Sequence, residues 1–550
     1  MSGFDMATEE DRRAWVARLT QTMPLTPIDY TSPQNYIMHC WGFPLTDNSR
    51  ENREAAAKHL KERLDLTISR LRFLGGVIIH GKDDALPRLV YPDADVDLNI
   101  RRFPDQVFDF QVLDSDRFPA YRQLTESGVP AFAFPRERLW LLPKTGPSPG
   151  DAVYPVTLRA TFIDGGLILG FSFHHGVLDG LGTRTFMERF NDLDPSAPPT
   201  VGFTTTLARQ KVSFLAYASD VAATTTLDIH NLPDYDFTVP SAPPVIHPAV
   251  ANVFSIAAAT ASDLRAAALR HLRAMHQDAC PNIFISLSDV VSALTWTSVT
   301  RVRLRAGRIH PADPSRFALG VSVRDLVPLD GTPPAATSGQ ADSAKAAAAP
   351  EYLGNMWLRA LASSTVGFVT GTSSSSRAAL GGPVTPELVG EVAWLIRQAV
   401  AELRRPATVA RHVAIATRAA GCFGPADGKD GKAGEKKDGL QGLRWPDVDA
   451  AIRRSIARHS TGVDMSVGVG LGADVEFDIP GVAGGKGPAA WTRRAYVPFD
   501  GFVSILSRKG GSKGDEDWEV WVALREEDMA DLAGERELGG WVNGRKKGTL

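Results

Sequence analysis

Residues 156 to 173 form two apolar alternating runs separated by Asp164-Gly165-Gly166. Leu167, Leu169, Phe171 and Phe173 share one face of the second run, the signature of a buried strand. Val156 to Phe162 is its predicted partner, and the Asp-Gly-Gly step its hairpin turn. Strand patterns recur at Asn35 to Pro44, Val77 to Ile79, Ala251 to Ala257 and Phe317 to Val323. A closing hairpin is predicted from Ala495 to Leu506 and Trp518 to Leu524. Helical spacing marks Ala56, Leu60, Leu64, Ile68, Leu71 and Leu74, behind a capping box of Asn48 and Glu51. Further helices carry Phe186, Met187, Phe190 and Leu193, and then Leu264, Ala267, Ala268, His271 and Met275 after Thr260 and Asp263. Two more carry Val290, Val291 and Leu294 after Ser286, and Leu388, Val392, Leu395, Ala399 and Leu403 after Thr385-Pro386. Residues 1–23 read as a frayed or helical arm, and Pro24 to Asp29 as an extended segment.

Residues 194–250 are rich in Pro, Thr and Ala and show little periodicity. They divide the chain into a first domain over 24–200, a crossover linker over 201–250 and a second domain over 251–550. Stretches 331–349 and 424–442 read as flexible, low-complexity loops.

Composition narrows the function classes. The 550 residues are 43% hydrophobic, enough for two or more cores. A net charge of −3 provides no global field for nucleic acid or an anionic membrane. Cys40, Cys280 and Cys422 lie far apart, as in a reduced cytoplasmic protein without a disulfide framework. The charged N-terminus lacks a signal-peptide core, and no apolar run of 18 residues offers a membrane span.

The chemistry concentrates where the buried strand ends. His174 and His175 close it, Asp179 follows four residues later, and Gly176 and Gly180 let the chain turn sharply. Imidazole is the usual proton shuttle near neutral pH, and a nearby carboxylate can orient it. No Ser or Cys stands in a nucleophile-elbow pattern, so His175 would act as a general base on a substrate group. Two structural histidines capping a strand, or a metal site, are the other readings. Adjacent strand side chains diverge, and no second Cys/His cluster completes a metal shell.

The segment His174 to Gly180, HHGVLDG, resembles the HHxxxDG signature shared by BAHD CoA-dependent acyltransferases and peptide-synthetase condensation domains. Leu71 to Gly76 leading into a strand, and Ala85 to Pro92, are similar to fungal acyltransferases of the trichothecene acetyltransferase branch. Ser286 to Trp296 is similar to that family's SxxDALSALxW helix, and Tyr352 to Asn355 to its YFGN turn. Trp518 to Met529 resembles its last segment. Asp464 to Gly472 looks like its DFGWG motif, with Gly468 and Gly470 matched. Ser466, Val467 and Val469 replace the other motif residues, a departure that bears on acyl-donor binding.

The resemblance implies an α/β, two-domain chloramphenicol acetyltransferase-like (BAHD) fold. Each domain would be a mixed sheet with flanking helices, and an active-site tunnel would run between them. It implies His175 as general base, Asp179 as a structural residue, and Arg324 as the partner of Asp179. His174 and Gly180 support the motif. Acyl-CoA, acetyl-CoA by default, would be the co-substrate, with no bound cofactor and no metal. The acceptor would be a hydroxyl or amine of a small secondary metabolite, and the protein a monomer. Two alternatives share the motif: a free-standing condensation domain fed by a carrier protein, and a non-catalytic metabolite-binding relative.

Overall fold

The computed structural model describes residues 8–80, 86–142, 151–192, 202–227, 234–237, 247–276, 282–329, 351–372, 382–420, 451, 463–467, 474–506, 516–534 and 536–542. Two mixed sheets organise them. The first has five strands in the order Trp491–Arg494, Tyr36–Pro44, Gly166–His174, Val156–Ile163 and Phe108–Leu113. Its last pair is parallel and the others antiparallel. The second has six strands, Trp357–Thr365, Pro314–Ser322, Val463–Val467, Phe502–Ile505, Trp518–Arg525 and Ala249–Ile256. Its pairs at Pro314–Ser322 with Val463–Val467, and at Val463–Val467 with Phe502–Ile505, are parallel. An α/β fold with mixed sheets and flanking helices is therefore present.

The predicted hairpin is there in register. Val156 pairs with Phe173 and Ile163 with Gly166, and Gly165 turns with a positive φ of 72°. All nine residues of the Gly166–His174 strand are buried. Phe171 and Phe173 stack at 5.5 Å, and Phe186 and Phe190 of the following helix Gly180–Asp192 close over them. The core thus clamps the strand whose end carries the two histidines.

Several local expectations need correction. The helix Arg50–Arg70 is capped by the Ser49 hydroxyl, which accepts from the Asn52 N–H; Asn48 instead donates to the Ile163 carbonyl. The helix after the second-sheet edge strand already begins at Ala258, so Thr260 lies inside it. In the helix Pro386–Leu403 the buried stripe is Val389, Val392, Ala393, Ile396, Val400 and Leu403, rotated from the expected one. The segment Pro24 to Asp29, expected to be extended, instead runs into a short helix, Pro27–Thr31, with Thr26 as N-cap and Pro27 in its first turn.

The crossover holds a 23-residue helix, Gly202–Thr224, that buries Leu207, Gln210, Lys211, Phe214, Ala218 and Val221. Two polar residues interrupt its apolar stripe and hide the period. Strand Trp491–Arg494, from late in the chain, completes the first sheet against Tyr36–Pro44. The two loops at 331–349 and 424–442 lie outside the described residues.

Candidate active site

The motif strand ends at His174, and the two histidines diverge as strand geometry requires. His174 is fully buried, with Tyr36 and His80 at ring distances of 5.4 and 5.6 Å. Its Nδ1 accepts the Gly176 N–H at 3.2 Å, which leaves the proton of the neutral ring on Nε2. Burial, reinforced by His80 and His175, pushes its pKa down to about 3. His174 is therefore a neutral core residue.

His175 is half-buried, and its ring lies 5.6 Å from that of Trp357. Its N–H donates to the Asn35 carbonyl at 2.8 Å. Burial holds its imidazole below the ordinary histidine range. Its own carbonyl, the Asp179 carboxylate and the Asn355 amide pull the other way, while Arg359 adds to the lowering. The result is an unprotonated imidazole near neutral pH, the form a base requires.

Gly176 and Gly180 do not make the turn through left-handed backbone, since neither has a positive φ. A Cβ on Gly176 would meet Gln34 Oε1 at 2.6 Å, the end of a side chain that would have to move aside. Gly180 opens the helix Gly180–Asp192. Two residues further, a Cβ on Gly182 would lie 2.1 Å from the Leu353 carbonyl oxygen.

Asp179 points away from His175 into a bidentate pair with Arg324, at 2.9 and 2.7 Å. It also accepts the N–H groups of Gly182 at 2.9 Å and Met356 at 3.0 Å. Burial alone would raise its pKa, but Arg324 and these donors hold it below the usual carboxylate range. Arg324 spends its other N–H groups on the carbonyls of Tyr352 and Gly354. The aspartate therefore locks the motif to the 352–356 turn that enters the second sheet.

Three residues of this assembly were missed in the sequence. Asn355 Nδ2 donates to the His175 carbonyl at 2.7 Å and to Asp29 Oδ1 at 3.0 Å. Asp29 is completely buried and pairs with Lys211 at 2.5 Å. The signal for Asp29 was present: Thr26-Pro27-Ile28-Asp29 is a capping box with proline in the first turn. Lys211 stands in an apolar helical stripe, which only its buried partner explains.

A cavity lies beyond Trp357. Ile28 and Ser32 line it from the first half of the chain, and Trp357, Arg359 and His412 from the second. Trp357 donates to the Ser32 hydroxyl at 3.2 Å. On the cavity wall Tyr235 and His412 Nδ1 share a hydrogen bond of 2.7 Å, with Asp234 3.4 Å from the other ring nitrogen. Gly468 and Gly470 lie outside the described residues. Among the described residues no group of three or more His, Cys, Asp or Glu side chains could hold a metal ion. No helix of those residues is long and apolar enough to cross a membrane.

Residues 35–192 match the family described as the trichothecene 3-O-acetyltransferase-like N-terminal domain. The chain is 23% identical over 432 residues to the eremophilane O-acetyltransferase ORF8 of Penicillium roqueforti, covering 74% of this chain and 81% of that protein. It is 27% identical over 255 residues to the trichothecene 3-O-acetyltransferase TRI101 of Fusarium sporotrichioides, covering 44% of this chain and 52% of that one. The crystal structure of F. graminearum TRI101 complexed with coenzyme A and deoxynivalenol superposes with a TM-score of 0.67 at 19% identity. That superposition covers 93% of this chain and 97% of the enzyme. Vinorine synthase superposes at 0.50 and 13% identity, over 96% and 95%. The chain is thus similar in sequence to fungal trichothecene and eremophilane O-acetyltransferases, and its fold is the α/β fold of TRI101 and vinorine synthase.

Proposed function

We propose that the protein transfers an acyl group, acetyl in the first instance, from acyl-CoA to a hydroxyl or amine of a small secondary metabolite. The observation that carries this reading is the state of His175. Its ring is half-buried, kept below the ordinary histidine range by burial, and 5.6 Å from the ring of Trp357, a residue that lines the cavity, while Asp179 is occupied by Arg324. The donor follows from the relatives, which are O-acetyltransferases, and from the coenzyme A in the TRI101 complex.

The reaction needs one base and two bound reactants. His175 Nε2 takes the proton of the acceptor hydroxyl as its oxygen attacks the thioester carbonyl. The tetrahedral oxyanion collapses, the C–S bond breaks, and the imidazolium returns its proton to the departing CoA thiolate. Ester and CoA thiol leave, with no acyl-enzyme. General-base assistance of this kind contributes about 10²–10⁴ in rate. Holding both reactants in one site adds several kcal/mol, roughly, through orientation. His174 cannot share the proton transfer, because it is sealed in the core and holds its lone pair on Gly176. The reading extends to a monomer acting in the cytoplasm, in keeping with three widely separated cysteines.

The test is thiol release from acetyl-CoA with a panel of hydroxylated sesquiterpenoids. His175→Ala should reduce kcat at least about a hundredfold and leave the melting temperature near that of the wild type. Comparable turnover in the two proteins would remove His175 from the mechanism.

A further inference from the structure

The His175 backbone is anchored on both sides by groups that lie outside the ladder of its strand. Its N–H donates to the Asn35 carbonyl at 2.8 Å, and its carbonyl accepts Asn355 Nδ2 at 2.7 Å. The second anchor comes from the turn that also receives Arg324. We propose that Asn355, held in turn by the buried Asp29–Lys211 pair, is a positioning residue that fixes the carbonyl of His175 and through it the imidazole. This rests on the reading of His175 as the base.

Three observations support it. The first is that the Asn355 amide can face only one way. Nδ2 meets two acceptors, Asp29 Oδ1 and the His175 carbonyl, so a flipped amide would set oxygen against oxygen. The second is a local cost. Asn355 is completely buried, and its Oδ1 has no hydrogen-bond partner. A buried acceptor left unmade is destabilising, a cost that an apolar side chain filling the same space would not carry. The third is the anchor behind it. The Asp29 carboxylate accepts from Thr26 N and Oγ1, from Lys211 Nζ, and from Asn355 N and Nδ2. Asp29 and Lys211 are 0% and 1% exposed. A buried ion pair gains little net stability over apolar packing of the same volume, and this one presents Asp29 Oδ1 to the Asn355 amide.

The chain of contacts runs from the helix Gly202–Thr224, through the turn at Thr26–Asp29, to the 352–356 turn and then to His175. It joins three separate regions of sequence at one carbonyl oxygen. The charged groups whose field reaches the His175 imidazole are Asp179 from its own segment and Arg359 from the Trp357–Thr365 strand, and His174, turned to the other side, feels His175 in return. Asp29 and Lys211 stand behind Asn355. Asp179 and the Asn355 amide favour the protonated ring, and Arg359 opposes it. Loss of the amide therefore lowers the pKa of the base, a change that a purely structural role would not produce.

The experiment is steady-state kinetics of the full-length protein as a function of pH. Asn355→Ala should lower kcat roughly ten- to a hundredfold, leave the KM for acetyl-CoA within about threefold, and move the acid limb of kcat/KM to lower pH. Two double variants guard against a folding defect, since both remove the buried charges together. Asp29→Asn with Lys211→Met keeps an acceptor for Asn355, and Asp29→Leu with Lys211→Met does not. The first should have the clearly higher kcat. Wild-type kcat and an unmoved acid limb in Asn355→Ala, with His175→Ala inactive, would overturn the positioning role and leave the base in place. Equal kcat in the two double variants would overturn it too. Activity retained in His175→Ala would overturn the base itself, and the positioning role with it.

Discussion

His174 and His175 are neighbours in the chain with opposite environments, and each has its own pH signature. The imidazole of His175 lies below the usual value of about 6.5 because burial outweighs its favourable neighbours. A base with a lowered pKa stays unprotonated to lower pH. The acid limb of kcat/KM should therefore fall below the ordinary histidine range; a limb above about pH 7 would contradict this assignment of the base. His174 bears on stability instead. Its folded pKa is about 3, far below the unfolded value, so the unfolded chain binds more protons between the two. The stability is fully present above about pH 6.5 and is lost as the pH falls towards the folded value. His39 is buried to the same effect. The melting temperature should drop through this window, and His174→Asn should show a shallower drop. Parallel curves for the two proteins would show that His174 titrates normally.

The motif strand, its hairpin and its aromatic face were all legible in the sequence, because a strand buried on both faces leaves a strong apolar signature. Other elements were legible only in part. The helix Gly202–Thr224 reads from sequence as an irregular crossover, since Gln210 and Lys211 interrupt its buried apolar stripe. The short helix Pro27–Thr31 was read as extended, although its Thr-Pro-x-Asp start carries both capping signals. The pairing of Asp179 with Arg324 was reached by family resemblance; nothing in the spacing could reveal it, because the contact is made through tertiary structure. That pair is the clearest target at this scale. Asp179→Asn should lose about 3–5 kcal/mol, the usual cost of breaking a buried ion pair, measured by denaturant unfolding. Replacement of both residues by apolar side chains should recover part of it. A loss below about 1 kcal/mol, the size of an exposed pair, would contradict the lock. Gly182→Ala should also destabilise, because its Cβ meets a backbone carbonyl that cannot swing aside.

Across the whole molecule, the candidate site is assembled from parts that lie far apart in sequence. His175 comes from the first sheet, Trp357 and Asn355 from the entry to the second, Lys211 from the crossover helix and His412 from the helix Pro406–Ala420. Strand Trp491–Arg494 returns to complete the first sheet. This interlocking explains why the motif could be read while the cavity could not. A motif is local, whereas Ile28, Ser32, Trp357 and His412 become neighbours only after folding. The cavity is lined by contributions from both halves of the chain.

The central claim is dependence on acyl-CoA, and the most direct measurement is the melting temperature of the purified protein with acetyl-CoA and with free CoA. A ligand that binds only the folded state must raise it, by an amount that grows with concentration over Kd. The account predicts a clear upward shift with acetyl-CoA in the wild type and an equal shift in His175→Ala, because the base acts on the acceptor. No shift with either ligand, at about millimolar concentration, would contradict it.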